Sequence, residues 1–220
     1  MNGVALPGRQ RCYAVCAAAL GWFALAAQLY LILWGRWQEQ ASLLGGLVKF
    51  CSFFTVITNV LVATAFTCAV SHRSSVGHRL FRSPVVCAGI ATSIALVGVA
   101  YNLLLRHLWH PQGWQWLVDM LLHDLLPLAF VAYWWLYLPK AGLRLVHVAL
   151  WMVYPVVYFG YVLLRGQMLG DYLYPFLDVG SLGYAGAFVN AMGVLAGFVG
   201  LGLLVLAADR WKGRGCSART

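Results

Sequence analysis

Six mostly apolar stretches, at about 12 to 34, 49 to 70, 84 to 106, 116 to 137, 145 to 165 and 184 to 208, run through this 220-residue chain. Each is close to the roughly 20 residues that a helix needs to cross a bilayer. Inside hydrocarbon every backbone N–H and C=O must find its partner within the protein, and a helix does this residue by residue. The expected fold is therefore all-α: a polytopic membrane protein, a bundle of six transmembrane helices. Once the stretches are removed only short loops and two tails remain, so residues 1–220 read as a single transmembrane domain. With 62% hydrophobic and only 10% charged residues, the chain has too few polar groups to cover a soluble surface.

The net charge of +9 would suit a nucleic-acid binder, but its distribution fits a membrane instead. Arg9 and Arg11 precede the first stretch. Arg73, Arg79 and Arg82 follow the second, Lys140 and Arg144 the fourth, and Arg210, Lys212, Arg214 and Arg219 the sixth. Only Arg36, Lys49, Arg106 and Arg165 fall on the other side, which by the positive-inside rule places both termini in the cytoplasm. No nucleic acid is expected as a partner. The first stretch has the basic start of a signal peptide, but its length and the polytopic sequence behind it make it a retained helix. The cysteines Cys12, Cys16, Cys51, Cys68, Cys87 and Cys216 show neither disulfide nor zinc spacing and read as small buried hydrophobes. No metal or cofactor is expected.

Tryptophans mark the expected interfaces. Trp109, Trp114 and Trp116 stand at one end of the fourth stretch, and Trp134, Trp135 and Tyr137 at the other. Residues 166–183 form the longest external loop. Along the last stretch Gly186, Asn190, Gly193 and Gly197 share one face, a small-residue seam for close helix packing or, less simply, for a second copy.

Against this apolar background a few polar residues fall into one layer: Thr55, Asn59, Asn102, Asp119, His123, Asp124 and Asn190, with Tyr158 and Tyr161 at a similar level. On the topology above, Thr55 lies about 9 Å and His123 about 10 Å below the external edge, at 1.5 Å of rise per residue. Polar groups at such depth are costly and mark functional sites by default. Asp119 and His123 are four residues apart, hence on one helical face, where a carboxylate holds an imidazole in one tautomer. Asp124 points elsewhere. On spacing alone, an Asp–His pair stitching two helices is the plainer account. The functional account makes His123 a general base for a hydroxyl such as Thr55, since an alcohol is a poor nucleophile without one. Asn59, Asn102, Asn190, Asp124 and Tyr158 are then candidates for contacting substrate or an oxyanion, where one well-placed donor contributes about 3 to 4 kcal/mol. Ser52 and Thr58 flank Thr55 as rival hydroxyls.

Three segments also carry a resemblance. Phe53-Phe54-Thr55-Val56-Ile57, the run from Trp116 to Pro127 around His123, and Tyr174-Pro175-Phe176-Leu177 resemble the androgen-induced and androgen-dependent TFPI-regulating family of multipass membrane proteins, in its bacterial branch. The best-known members look like threonine hydrolases of fatty-acid esters of hydroxy fatty acids. The resemblance thus implies Thr55 as nucleophile, His123 as base, a membrane lipid or fatty-acid ester as substrate, and a bacterial cytoplasmic membrane as location. The same polar layer also suits a lipid or small-molecule carrier, a proton-coupled transporter, or a scaffold with no ligand.

Overall fold

The computed structural model describes residues 7–71, 75–140 and 142–217, with side chains as far as residue 214. Arg73, Arg219 and the side chain of Cys216 lie outside the described residues. Among the described residues there is no strand, and five helices are long and apolar enough to cross a membrane: Gly8–Gln38, Pro84–Leu105, Gly113–Tyr137, Leu145–Leu169 and Val179–Arg214. A sixth crossing requires counting a bent pair as one span.

That pair departs from the sequence expectation of one continuous helix over 49–70. After α1 (Gly8–Gln38), the chain forms α2 (Leu43–Ser52) and α3 (Phe54–Val70), which meet at 71°. Ser42 caps the start of α2 by accepting from the Gly45 amide at 3.1 Å, and the Ser52 hydroxyl folds back onto the Val48 carbonyl at 2.6 Å. Phe53 between them is extended, at φ −75° and ψ 130°. The 17 residues of α3 then rise about 25 Å, slightly short of a typical hydrocarbon core of about 30 Å. Hydropathy alone does not see this break, because the residues around Phe53 stay mostly apolar and include neither glycine nor proline.

The chain divides into two compact units, Met1–Pro139 and Lys140–Thr220. In the first, α1 packs along α3 where Gly21 admits Ala63: a methyl at Gly21 would stand 3.1 Å from the Ala63 Cβ. Ala24, Leu25, Val56, Val118, Leu122 and Leu126 fill the core around this contact. The short α4 (Val76–Phe81) is followed by Arg82, whose guanidinium donates to the carbonyls of Cys68, Ala69 and Ser71 at 3.0 to 3.1 Å. These are carbonyls that the last turn of α3 leaves without a helical donor. Next come α5 (Pro84–Ala100) and, across a loop, α6 (Gly113–Met120) and α7 (Leu126–Tyr137).

The second unit holds α8 (Leu145–Leu169), a short 3-10 turn (Pro175–Leu177) and α9 (Val179–Ser217), which is broken at Gly183, where φ is 68°. The expected external loop is accordingly shorter than 166–183, since helix occupies both ends of that range. Gly166 is packed against Tyr172: a methyl there would lie 2.2 Å from the ring, which would have to shift. At the other end of this unit the buried Asp209 carboxylate accepts the Leu143 amide at 2.9 Å. Lys140 nearby is pushed down to about 8 by burial and by the charge of Lys212, with Asp209 opposing the shift.

Three expectations about particular residues are corrected. Within the second unit, side chains at Gly193 and Gly197 would meet nothing within 4 Å, so neither α8 nor the 3-10 turn packs closely on the small-residue seam. Trp134 is buried at 3% exposure, part of the core rather than of an interfacial belt. Cys12, Cys16 and Cys51 are exposed on apolar helix surfaces, and among the described residues only Cys68 and Cys87 are buried cysteines.

Candidate functional site

Two helices interrupt their regular hydrogen bonding at the same place in the first unit. After Ala100, residues Tyr101–Leu105 form a π-helical turn, closed by the Arg106 amide on the Tyr101 carbonyl at 2.9 Å. Between α6 and α7, Leu121–Leu125 form a second, closed by the Leu126 amide on the Leu121 carbonyl. Pro127 explains part of the second turn: it has no N–H to give to the His123 carbonyl four residues earlier. Gly98 leaves room for the displaced backbone, since a methyl there would sit 3.2 Å from the His123 carbonyl oxygen and 3.4 Å from the Pro127 Cβ. Such single-turn π insertions are frequent at functional sites.

His123 projects from the second π turn toward the start of α3. Its Nε2 lies 3.4 Å from the Thr55 Oγ1. Its Nδ1 lies 3.0 Å from the Asp119 carbonyl oxygen and 3.2 Å from the Asp119 Oδ1. Both of these partners are pure acceptors when the carboxylate is ionised, so Nδ1 carries the proton and Nε2 presents a lone pair to the threonine hydroxyl. That is the tautomer a general base needs.

The carboxylate and the ring are themselves held. Asp119 is buried, and its Oδ2 accepts the hydroxyl of Tyr101, while the Tyr101 ring stacks on the imidazole with centroids 3.9 Å apart and planes 19° apart. The Arg106 guanidinium stands over the other residue of this stack, 5.3 Å from the Tyr101 centroid, and pairs with Asp124. Asn102 donates to Asp124 Oδ1 at 3.0 Å and to the Gly98 carbonyl at 2.9 Å. A cleft of about 540 Å³ adjoins this cluster, lined among others by Tyr101, Arg106, Trp116, Asp119 and Asp124. With a side-chain exposure of 15%, His123 is sheltered without being sealed.

The sequence expectations fare unequally. Thr55, His123 and Asp119 come together in one hydrogen-bonded row. Asn59 stands next to them, but both its amide hydrogens are committed, to the Thr55 carbonyl at 2.9 Å and the Leu122 carbonyl at 3.2 Å, leaving neither for an oxyanion. Asn102 is likewise committed. Asn190 and Tyr158 belong to the second unit, where Asn190 donates to the Phe176 carbonyl at 3.0 Å and Tyr158 to the Tyr174 hydroxyl at 3.5 Å. Of the rival hydroxyls, Ser52 is turned onto the Val48 carbonyl and Thr58 is fully buried. His147 accepts from the Arg144 amide at 3.0 Å, a local cap at the start of α8.

Tyr101 is the residue that sequence reasoning missed. Its signal was present: it adjoins Asn102 in the polar layer and brings a phenol to the end of an otherwise aliphatic stretch.

Set against known proteins, the chain matches no family model, no curated protein and no solved structure. The functional reading therefore rests on the geometry of the residues themselves and on the short motifs they occupy.

Proposed function

We propose that this protein is an intramembrane threonine hydrolase of lipid esters, with Thr55 as nucleophile, His123 as general base and Asp119 as the group that orients the base. The observation that carries the reading is the row Thr55 Oγ1, His123 Nε2, His123 Nδ1, Asp119, with gaps of 3.4, 3.0 and 3.2 Å. A base this close to a hydroxyl is within reach of its proton, and such contacts tighten when substrate is bound. The resemblance of the segments around Thr55 and His123 to fatty-acid ester hydrolases of the androgen-induced family points the same way.

In the reaction, His123 Nε2 takes the Thr55 proton as Oγ1 bonds to the ester carbonyl carbon. The tetrahedral intermediate collapses by breaking the bond to the leaving alcohol, which receives the proton from Nε2. Water then attacks the acyl-threonine, giving its proton to Nε2, and Thr55 departs with that proton restored. Thr55 lies in the first turn of α3, after the extended Phe53. The Thr55 and Val56 amides there have no helical acceptor four residues back, and they sit at the positive end of the helix dipole. With Asn59 and Asn102 committed elsewhere, these amides are the nearest donors for the oxyanion.

The setting completes the reading: a bacterial cytoplasmic membrane, six crossings, both termini inside, and a site beneath the external face that receives a lipid ester from the bilayer. Purified protein is expected to hydrolyse a fatty-acid ester and to react with a fluorophosphonate at Thr55, identified by mass spectrometry of the labelled peptide. Thr55→Ala should lose both. Wild-type turnover by Thr55→Ala disproves the nucleophile. Proton-coupled uptake into vesicles, with no covalent adduct, selects the carrier reading in its place.

A further inference from the structure

Asn59 is fully buried, at 0% exposure, one helical turn after Thr55. Its Nδ2 donates to the Thr55 carbonyl on its own helix and, across the packing interface, to the Leu122 carbonyl, the residue that precedes His123. Its Oδ1 is also buried and accepts no hydrogen bond among the described residues. A buried amide that leaves its acceptor unsatisfied carries a cost of about 1 to 3 kcal/mol. A residue whose only role was packing would be served better by an apolar side chain; leucine has the same branched four-atom skeleton and no polar atoms. What the amide does here, and leucine does not, is tie the turn that carries the hydroxyl to the turn that carries the imidazole.

Two features make such a tie necessary. The Thr55 end of α3 follows a 71° break, so the direction of its first turn is not set by a continuous helix behind it. The His123 end is a π turn next to a proline, where the regular hydrogen-bond ladder is interrupted. One reacting group thus sits just after a break and the other in a π turn, and a 3.4 Å contact between them is sensitive to small shifts of either turn.

We infer that Asn59 is a positioning residue that sets the distance between the Thr55 hydroxyl and the His123 ring by bridging their two backbone turns. The inference rests on the proposed Thr–His chemistry, but it concerns a hydrogen bond that is observable without turnover. Losing the bridge lets the nucleophile and base drift apart, and a misplacement of about 1 Å costs on the order of 100-fold in rate. Substrate binding, which needs no proton transfer, is left largely intact.

The test uses the full-length protein in lipid nanodiscs with 15N-labelled histidine, comparing wild type, Thr55→Val, Asn59→Leu and Asn59→Ser. Thr55→Val removes the hydroxyl and fixes where the His123 Nε2 resonance lies without its partner. Asn59→Leu is expected to move that resonance most of the way to the Thr55→Val position, with kcat for a fatty-acid ester falling about 10- to 100-fold and KM unchanged. Asn59→Ser, with a smaller side chain, serves if Asn59→Leu does not fold. A folded Asn59 variant whose His123 resonance stays at the wild-type position overturns the inference, even if its melting temperature has dropped. So do coincident wild-type and Thr55→Val resonances, since no Thr55–His123 hydrogen bond then exists to be positioned. The expected resonance shifts in the variants, with no ester turnover by the wild-type protein, refute the hydrolase reading and support the positioning role of Asn59.

Discussion

The proton on His123 Nδ1 has two acceptors from one residue, the Asp119 carbonyl at 3.0 Å and its carboxylate at 3.2 Å. This duplication decides what Asp119 contributes. In an arrangement where the carboxylate alone holds the ring, replacing it flips the tautomer and costs about 10⁴-fold. Here the backbone carbonyl survives any side-chain substitution and keeps Nε2 as the acceptor. Asp119→Ala should therefore leave the tautomer in place and remove the carboxylate's stabilisation of the imidazolium, a charge-assisted bond of about 1.5 to 3 kcal/mol, or about 10- to 150-fold in kcat, together with its bond to the Tyr101 hydroxyl. Steady-state kinetics with a lipid ester separates the two: a loss near 10⁴-fold means that the backbone contact does not hold the ring. The spacing of Asp119 and His123 made their contact legible in the sequence, because four residues is one helical turn. Tyr101 was not legible in the same way, since its stacking on His123 depends on how two successive helices pack together.

At the scale of elements, the site depends on two irregular turns packed against each other. The π turn at Leu121–Leu125 brings the His123 carbonyl close to α5, and Gly98 is the position that admits it. A methyl at Gly98 falls 3.2 Å from that oxygen, closer than a comfortable carbon–oxygen contact, and neither backbone can yield far. Gly98→Ala is expected to destabilise the protein by about 1 kcal/mol, and Gly98→Val by about 1 to 3 kcal/mol, the usual range for overpacking. Because the displaced group is the backbone of His123 itself, kcat should fall further than the loss of folded protein accounts for. Melting curves read alongside kinetics check this, and a Gly98→Val protein with full activity per folded molecule contradicts it. The helices were legible because long apolar runs leave few alternatives. The π turns were less so, with Pro127 as their one local signal, and the break at Phe53 has no glycine or proline to announce it.

For the molecule as a whole, the apolar stretches announced helices fit to cross a membrane, and five such helices plus a bent pair are present. Which way they run is a question of charge. The basic residues gather in the tails and in the loops after the second and fourth stretches, including Arg79, Arg82, Lys140 and Arg144, while Arg36, Lys49, Arg106 and Arg165 belong to the opposite set. Two of that opposite set also pair with carboxylates, Arg106 with Asp124 and Arg165 with Asp171. Retaining Lys and Arg on the cytoplasmic side then requires an even number of crossings, which holds only if α2 and α3 together count as one. Protease-cleavable tags at the two termini provide the check. In intact spheroplasts both tags should resist added protease, and in inverted membrane vesicles both should be cut. One tag cut in spheroplasts and the other protected means an odd number of crossings, with α2 lying along one face rather than completing a span. The Thr55 end of α3 would then have to be placed afresh relative to the external leaflet, and with it the side from which a lipid ester reaches His123.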